Sequence, residues 1–361
     1  MDTRITDELL SRVEKPARYI GSEWNMERKE VFDFRFALCF PDVYEIGMSH
    51  LGSRILYRVL NDMDGVYCER CYAPWTDMEQ ALRERNVPLF TLETKSPLRD
   101  FDVVGFSLLY EMCYTNVLTM LELSDIPFLS AERDERYPLI VAGGPCTCNP
   151  EPIAGIFDAI LLGDGEELEP ELVECVRSAK REGVGKAELL KRLAGIEGVY
   201  VPSFYEPIYE DGRYVRTERL FEFAPAHPQK RVVRNLDSAK YIGKQLVPHM
   251  QIVHDRVAVE VMRGCTRGCR FCQAGYIYRP VRERTKETLL EQTRDLVSCT
   301  GYDEVSLLSL STGDYSELHE LLPQIIDDMA AQKVSVSLPS LRIDSLLKDD
   351  LEKMQTVRKA V

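Results

Sequence analysis

The residues with the clearest chemical potential form the sequence Cys-Thr-Arg-Gly-Cys-Arg-Phe-Cys, in which Cys265, Cys269 and Cys272 are separated by three and then two residues. They follow the apolar run 257–262, which predicts a buried strand. Three thiolates on one tight loop can hold a metal centre from one side. Because iron–sulfur clusters usually take four cysteines, three would leave one iron open to another ligand. The spacing therefore predicts an iron–sulfur site at which chemistry could occur.

A zinc site and buried, unligated thiols are the alternative interpretations of these cysteines. His254 is the nearest candidate for a fourth zinc ligand, but it lies on the other side of the predicted strand. No second pair of cysteines follows at the distance usual for zinc sites. The flanking Arg263, Arg267 and Arg270 favour thiolates over inert thiols. These features favour iron–sulfur ligation.

With Phe271 directly before its last cysteine, the loop resembles that of the radical S-adenosylmethionine (SAM) superfamily, where three cysteines at this spacing follow the first strand of a barrel. The resemblance implies that Cys265, Cys269 and Cys272 ligate a [4Fe-4S] cluster and that SAM binds its open iron. Reductive cleavage of SAM would then give methionine and a 5′-deoxyadenosyl radical. It also implies a reductant as partner, such as flavodoxin or ferredoxin.

The same resemblance suggests which residues contact SAM. Phe271 is one of them, and Thr312, Gly313 and Asp314 stand where the family has a glycine-rich motif after its second strand, although they match it only in part. Arg342 follows the third predicted strand and has a planar guanidinium suited to the SAM carboxylate. A surface arginine after a strand is an equally good interpretation of Arg342.

Two series of predicted elements position these residues. In the first series, strands, loops and helices alternate along the chain. Buried or alternating apolar runs predict strands at 34–40, 65–72, 102–109, 139–144 and 158–163, and helices at 51–60, 76–85, 114–123 and 166–179. This alternation predicts an α/β fold with a doubly wound parallel sheet, which binds ligands at the carboxyl ends of its strands.

Three of these strand ends carry small or polar residues. Glycines there permit close approach of the backbone to a ligand, although ordinary tight turns explain them as well. Together with Pro145, Pro150 and Asp158, the glycines at these strand ends form a sequence pattern. This pattern resembles that of the cobalamin-binding domain in one bacterial, uncharacterised radical SAM subgroup. The cobalamin contacts that this resemblance implies are Ser107, Tyr110, Gly143, Gly144, Gly163 and Gly165.

His50 is the candidate for a histidine ligand to cobalt. Many cobalamin proteins place an aspartate two residues before that histidine, but Met48 stands there in this chain. Without the aspartate, the imidazole lacks its usual hydrogen-bond partner. We therefore predict that His50 is a loop or helix-start residue, and that cobalamin would bind without histidine coordination.

The second series begins near residue 251. Strands are predicted at 257–262, 304–310 and 334–338, and helices at 286–298, 316–329 and 345–359. They make three βα repeats, the first half of a radical SAM partial barrel, so we expect the chain to be a fragment. The expected organisation is a cobalamin-binding-like domain at 1–180, a connecting segment at 181–250 and the radical SAM part at 251–361. Within the connecting segment we expect a short helix at 186–193 and a hairpin formed by 199–205 with 206–216, which turns at Asp211 and Gly212.

Composition agrees with a cytoplasmic enzyme. The chain has 361 residues, eleven cysteines and a net charge of −14, and no apolar run approaches the ~18 residues needed to cross a membrane. We expect reduced thiols, with Cys68 and Cys71 as buried structural residues. The negative charge argues against broad nucleic-acid binding.

These patterns predict a radical SAM enzyme that uses cobalamin for the radical methylation or rearrangement of an unknown substrate. One alternative is a radical SAM enzyme whose N-terminal sheet binds substrate or a partner without cobalamin. Another is a non-enzymatic scaffold stabilised by a metal such as zinc in the cysteine loop.

Overall fold

A computed structural model describes residues 3–341 of the chain. The described residues fold into two compact units. The first unit comprises the residues up to Val232 together with Pro248–Val253, and the second comprises Val233–Val247 together with the residues from His254 onward. No helix among residues 3–341 is long and apolar enough to cross a membrane.

The first unit contains a mostly parallel sheet. Its strands are β1 (Phe34–Phe40), β2 (Val66–Tyr72), β3 (Val103–Ser107), β4 (Leu139–Gly143), β5 (Ala159–Leu161) and β6 (Val199–Tyr200). Their order across the described sheet is β2-β1-β3-β4-β5-β6, with β6 antiparallel to its neighbour and the others parallel. The order reverses between β1 and β3, and sheets of this kind bind ligands at the carboxyl edge where the order reverses.

Helices connect most of these strands, as expected for a doubly wound fold, whereas β4 and β5 are joined by 3₁₀ turns and two helices precede β1. The helices are α1 (Thr3–Leu10), α2 (Ala17–Ile20), α3 (Tyr44–Gly47), α4 (Leu51–Asn61), α5 (Thr76–Arg85), α6 (Tyr114–Glu122), α7 (Gly165–Glu182) and α8 (Lys186–Leu193). Nearly every residue of β1 and β2 is buried, because a parallel sheet is covered on both faces. The predicted α/β fold and its five parallel strands are confirmed.

The hairpin after α8 differs in part from the prediction. Its strands are β7 (Tyr205–Glu210) and β8 (Arg213–Arg219), which turn at Asp211 and Gly212 as expected. The expectation that the preceding residues, 199–204, also belong to the hairpin is wrong. Val199 and Tyr200 are buried apolar side chains and extend the main sheet through β5, whereas every residue of β8 is exposed.

The second unit contains a smaller parallel sheet. Its elements are β9 (Val257–Glu260), β10 (Met262–Arg263), α9 (Ala274–Ile277), β11 (Arg282–Glu283), α10 (Lys286–Thr300), β12 (Glu304–Leu308), α11 (Leu318–Ala331) and β13 (Ser335–Ser337). In the part that the structure describes, β13, β12 and β9 are neighbours in that order and all run parallel. The βα repeats predicted here are confirmed as far as β13. The helix predicted at 345–359 and Arg342 lie outside the described residues.

Short 3₁₀ turns complete the structure. They lie at Leu98–Asp100, Glu111–Cys113, Ser130–Glu132, Pro145–Cys148, Glu151–Ile156, Pro202–Phe204 and Thr312–Asp314. Several follow directly on the carboxyl ends of strands. They therefore shape the edges where both sheets present their loops.

Candidate functional site

The cysteine loop, residues 264–281, begins just beyond the carboxyl end of β9. It is closed at its base by β10 and β11, which pair with Met262 opposite Glu283 and Arg263 opposite Arg282. The base is tied to the sheet because the Val261 amide donates a hydrogen bond of 2.9 Å to the carbonyl of Leu308 at the end of β12. The loop thus projects from the edge at which the parallel strands end.

The three cysteines of this loop are accessible. Cys269 is exposed, and Cys265 and Cys272 are partly exposed; none is in a disulfide. The Cys272 amide donates to the Cys269 carbonyl at 3.0 Å, and Nε of Arg279 lies 3.4 Å from the carbonyl oxygen of Cys265. Hydrogen bonds within the loop therefore hold its backbone while the sulfur atoms stay reachable from solvent.

The donor set of the loop fits a thiolate-ligated centre. No three His, Cys, Asp or Glu side chains among residues 3–341 already surround a common metal position. Three accessible thiols within eight residues are nevertheless the ligands that iron–sulfur clusters take. His254 precedes β9 and so lies at the opposite end of that strand from the cysteines, which argues against zinc. Ligation by Cys265, Cys269 and Cys272 remains a prediction.

The turn Thr312–Asp314, predicted to contact SAM, lies beside the cysteine loop. Nε of Arg267 donates to Oδ2 of Asp314 at 2.8 Å, and a second guanidinium nitrogen contacts Oδ1. The hydroxyl of Ser311 donates to the same carboxylate at 2.7 Å. The structure therefore brings the cysteines and this turn together at one edge of the sheet.

The chain after β13 reaches the same edge. The Thr312 amide donates to the carbonyl of Ser340 at 3.0 Å, and the Thr312 side chain is completely buried. Gly313 is partly exposed, and Phe271 is 93 % exposed. The turn Thr312–Asp314 therefore contacts both the cysteine loop, through Arg267, and the segment that leads towards Arg342.

A largely buried charge cluster, which the sequence did not predict, lies at the base of the loop. Glu260, at the end of β9, accepts hydrogen bonds from Arg263 at 2.9 and 3.0 Å and from Arg284 at 3.2 Å. Burial alone would raise the pKa of Glu260, but the two guanidinium groups outweigh it and hold that pKa below its ordinary value. The signal available in the sequence was a single glutamate inside an apolar strand.

Tyr241 completes this cluster. Its hydroxyl donates to the Ala258 carbonyl at 2.7 Å and accepts from the Glu260 amide at 3.2 Å. The Arg284 guanidinium lies 4.8 Å from the centre of the Tyr241 ring. Since these backbone groups belong to β9, the tyrosine satisfies hydrogen-bonding groups that would otherwise lie open on the strand. The strand that leads into the cysteine loop is thereby held rigid.

In the first unit, some predicted cobalamin contacts lie at the carboxyl edge of the sheet. Ser107 ends β3 and is directly opposite Gly143, which ends β4. A Cβ added to Gly143 would meet only an ordinary contact of 3.8 Å, so there is space beside it. Tyr110 is partly exposed, and its hydroxyl donates to Asp42 in the loop after β1. The loops after β1 and β3 therefore meet where the strand order reverses.

The other glycines in the predicted set contact the protein itself. A Cβ on Gly144 would lie 2.6 Å from the Leu108 carbonyl oxygen, and one on Gly163 would lie 2.1 Å from that of Arg231. A Cβ on Gly165 would lie 2.8 Å from Cδ2 of Leu56. These glycines were expected to let the backbone approach a ligand. In the structure they let the chain approach other parts of the same unit.

His50 has the local role that the sequence predicted. It precedes α4 as its N-cap, with Nδ1 3.1 Å from the Ser53 amide nitrogen and 2.8 Å from the Ser53 hydroxyl. Burial, assisted by the nearby charge of Arg54, lowers the pKa of His50 to about 4. Of the two predicted roles, loop residue or helix start, the structure shows the helix start.

An apolar rim, which the sequence analysis did not identify, follows the first three strands. Ile46 comes after β1, Trp75 after β2, and Tyr110 and Met112 after β3, with exposed fractions of 38 %, 45 %, 37 % and 84 %. Because these strands are parallel neighbours, their carboxyl ends share one edge. The rim offers apolar surface at the position where doubly wound sheets bind ligands.

The remaining predicted cysteines are structural. Cys68 and Cys71 are both buried within β2, and their spacing of three places them on opposite faces of the strand. Burial raises the pKa of the Cys68 thiol. The interpretation of this pair as core residues is confirmed.

Two protein-family models match the chain. One, described as radical SAM proteins, N-terminal, matches residues 52–202, and the other, described as radical SAM superfamily, matches residues 259–360. These two segments of the chain are similar to radical SAM proteins. The second match contains all three cysteines of the loop and the turn at Thr312–Asp314.

Curated relatives overlap with different lengths of the chain. An uncharacterised protein of Methanocaldococcus jannaschii is 26 % identical over 316 residues, which cover 87 % of this chain and 56 % of that protein. A tRNA-2-methylthio-N(6)-dimethylallyladenosine synthase of Bacteroides fragilis is 32 % identical over 85 residues, or 24 % of this chain and 18 % of the synthase. The same enzyme of Carboxydothermus hydrogenoformans is 33 % identical over 113 residues, or 29 % and 24 %. The chain thus spans about half the length of the archaeal relative.

Two solved structures align with most of this chain. Both are the radical S-adenosylmethionine methyltransferase TsrM of Kitasatospora setae, one with cobalamin and a [4Fe-4S] cluster and one with tryptophan and a SAM analogue. The TM-score is 0.48 in each case, with 13 % and 14 % identity. The matches cover 90 % and 89 % of this chain and 53 % and 54 % of TsrM.

Proposed function

We propose that this protein is a radical SAM enzyme in which Cys265, Cys269 and Cys272 hold a [4Fe-4S] cluster. The observation that supports this best is the contact of the cysteine loop with the turn Thr312–Asp314, since cluster ligands and SAM contacts must lie side by side. When bound, the cluster supplies the electron that cleaves SAM reductively. The electron would come from a reductant such as flavodoxin or ferredoxin.

The protein's own residues orient and shield these groups. The thiolates of the loop are the ligands, and the buried Glu260 with Arg263 and Arg284 fixes the strand from which the loop projects. The turn offers backbone groups at the partly exposed Gly313 for polar atoms of SAM. Phe271 and Arg342 are the further SAM contacts that we propose from the family resemblance.

We propose in addition that the first unit binds cobalamin and that the reaction is a radical methylation or rearrangement of a substrate still to be identified. The apolar rim formed by Ile46, Trp75, Tyr110 and Met112 supports this, because a corrin presents a broad, largely apolar face. Ser107 and Gly143 border the same edge. His50 is engaged as a helix cap, so binding would proceed without histidine coordination.

A second candidate function keeps the radical chemistry but gives the sheet to substrate or a protein partner. The contacts of Gly144 and Gly163 favour it, because the protein's own backbone occupies the space that these glycines were expected to leave for a ligand. Gly165 is likewise accounted for by packing against α4.

Anaerobic purification and reconstitution of the full chain tests the cluster. We expect a brown protein that absorbs near ~400 nm and whose reduced electron paramagnetic resonance spectrum changes when SAM is added. Replacing Cys265, Cys269 or Cys272 by Ala should remove most of the iron. The matched controls Cys68→Ala and Cys71→Ala should retain it, since those side chains lie in the core of the other unit. Equal loss from the controls, or a colourless protein that contains zinc, would contradict the assignment.

Gel filtration of the full chain with hydroxocobalamin tests the first unit. We expect the corrin to co-elute, His50→Ala to bind equally and Met112→Glu to bind more weakly, because a carboxylate would interrupt the apolar rim. Val31→Glu is the matched control, since Val31 is also a highly exposed apolar residue but lies outside the rim. No uptake by the wild-type protein would favour the second candidate.

A further inference from the structure

A charged pair connects the middle of the cysteine loop to the turn after β12. Arg267 lies between Cys265 and Cys269 and holds both oxygens of Asp314, 47 residues further along the chain. The Asp314 side chain is only 15 % exposed, while that of Arg267 is 44 % exposed. A fork-to-fork pairing of guanidinium and carboxylate restricts both distance and orientation, which a single contact would not.

The turn itself is firmly held. Ser311 donates its hydroxyl to Asp314, and the Asp314 amide donates to the Ser311 carbonyl at 2.9 Å. Thr312 is buried, its hydroxyl lies 2.9 Å from that of Ser309, and its amide bonds to Ser340. Asp314 is therefore a fixed point, and the more exposed Arg267 is the group that it orients.

We infer that Arg267 and Asp314 are a positioning pair, which sets the cysteine loop against the turn so that cluster ligation and SAM binding are energetically coupled. This inference rests on the proposed function. It changes the role expected for Asp314: its carboxylate is engaged by Arg267 and Ser311, so it acts on SAM through the loop and not as a direct contact. Loss of the pair should leave the three thiolates able to take a cluster but should weaken SAM binding.

The variants Arg267→Met, Asp314→Asn and the double variant test this in the reconstituted full chain. Arg270→Met is the matched control, because Arg270 is an exposed arginine of the same loop. Iron content per chain and the SAM concentration that half-saturates the change in the paramagnetic spectrum are measured. We expect every variant to bind as much iron per chain as the wild type. In both single variants the affinity for SAM should fall roughly tenfold, which is within the range usual for coupled sites. The double variant should lose no more than either one, and Arg270→Met should resemble the wild type.

Unchanged SAM affinity in Arg267→Met would overturn the inference, as would iron loss equal to that of Cys269→Ala. Additive losses in the double variant would also overturn it, because Asp314 would then act independently of Arg267. If wild-type protein takes up no cluster or ignores SAM, the proposed function fails. The pair is then tested by amide hydrogen exchange of the metal-free chain, where Arg267→Met, but not Arg270→Met, should speed exchange across residues 264–272. Equal exchange in both variants would refute the pairing itself.

Discussion

Replacing Gly264 by Ala should displace the cysteine loop without unfolding the protein. Gly264 has φ +91°, and an added Cβ would lie 2.7 Å from the carbonyl oxygen of Tyr278 and 2.8 Å from that of Pro280. Both distances are well below the carbon–oxygen contact of about 3.3 Å found between backbone segments. The obstructing atoms belong to the returning backbone of the same loop, so no side-chain rotation can relieve the overlap.

The magnitude follows from two contributions. A left-handed backbone conformation costs a residue with a Cβ about 1–2 kcal/mol, and forcing extra volume into a packed position costs about 1–3 kcal/mol. Together they disfavour the observed loop by about 2–5 kcal/mol. Even the lower value shifts the equilibrium away from this conformation by roughly thirtyfold.

The assay is iron bound per chain after reconstitution and desalting, with thermal unfolding measured in parallel. Gly264→Ala should lose most of its iron. Gly268→Ala is the matched control in the same loop: its φ is +64°, but the nearest atom would be 3.5 Å away, so it carries the conformational cost alone. Gly301→Ala, with nothing within 4 Å, controls for stability outside the loop. Iron retention by Gly264→Ala equal to that of Gly268→Ala would refute the reasoning.

Two further predictions concern buried carboxylates. Glu260→Gln should lower the free energy of unfolding by about 3 kcal/mol, because Arg284 would stay buried without its counter-charge. The free energy is measured by urea unfolding, and a change under about 1 kcal/mol would contradict this expectation. Burial alone would raise the pKa of Glu23, but Arg70 outweighs it and lowers that pKa to about 2 from 4.5. Glu23 therefore stabilises the fold above pH 4.5, and on the order of 3 kcal/mol should be lost as the pH falls from there towards 2. Glu23→Gln should flatten that part of the stability profile, and an unchanged profile would show that Glu23 does not cause it.

Features encoded by short stretches of sequence could be predicted from them. The apolar runs that became β1, β3 and β4 lie within one or two residues of their predicted bounds, because burial on both faces of a parallel sheet requires a continuous apolar run. The spacing of Cys265, Cys269 and Cys272 specified a ligand loop, since ligands on one short segment need no knowledge of the rest of the fold. The choice between a loop and a helix-start role for His50 rested on the same kind of local information, and the structure shows the helix start.

Other features depended on which segments become neighbours. Val199 was expected in the hairpin, but its burial against β5 depends on a sheet edge formed by strands far away in the sequence. The glycine at 163 was interpreted as space for a ligand, and only the fold shows that Arg231 passes there. A glycine in such a position indicates that another group comes close to the backbone. Which group this is depends on the path of another segment of the chain.

In the candidate site, too, some features follow from a short stretch of sequence and others from contacts between distant segments. The spacing of the cysteines and the family resemblance of the turn at Thr312–Asp314 identified them as separate candidates. Their contact through Arg267 depends on β9 and β12 being adjacent and parallel, which brings Arg267 and Asp314, 47 residues apart in the sequence, to one edge. The enclosure of Glu260 by two arginines likewise needs the return of the chain through β11. Sequence thus determined which groups could do chemistry, and strand pairing decided which of them meet, because charge pairing acts over a few ångströms of space regardless of separation along the chain.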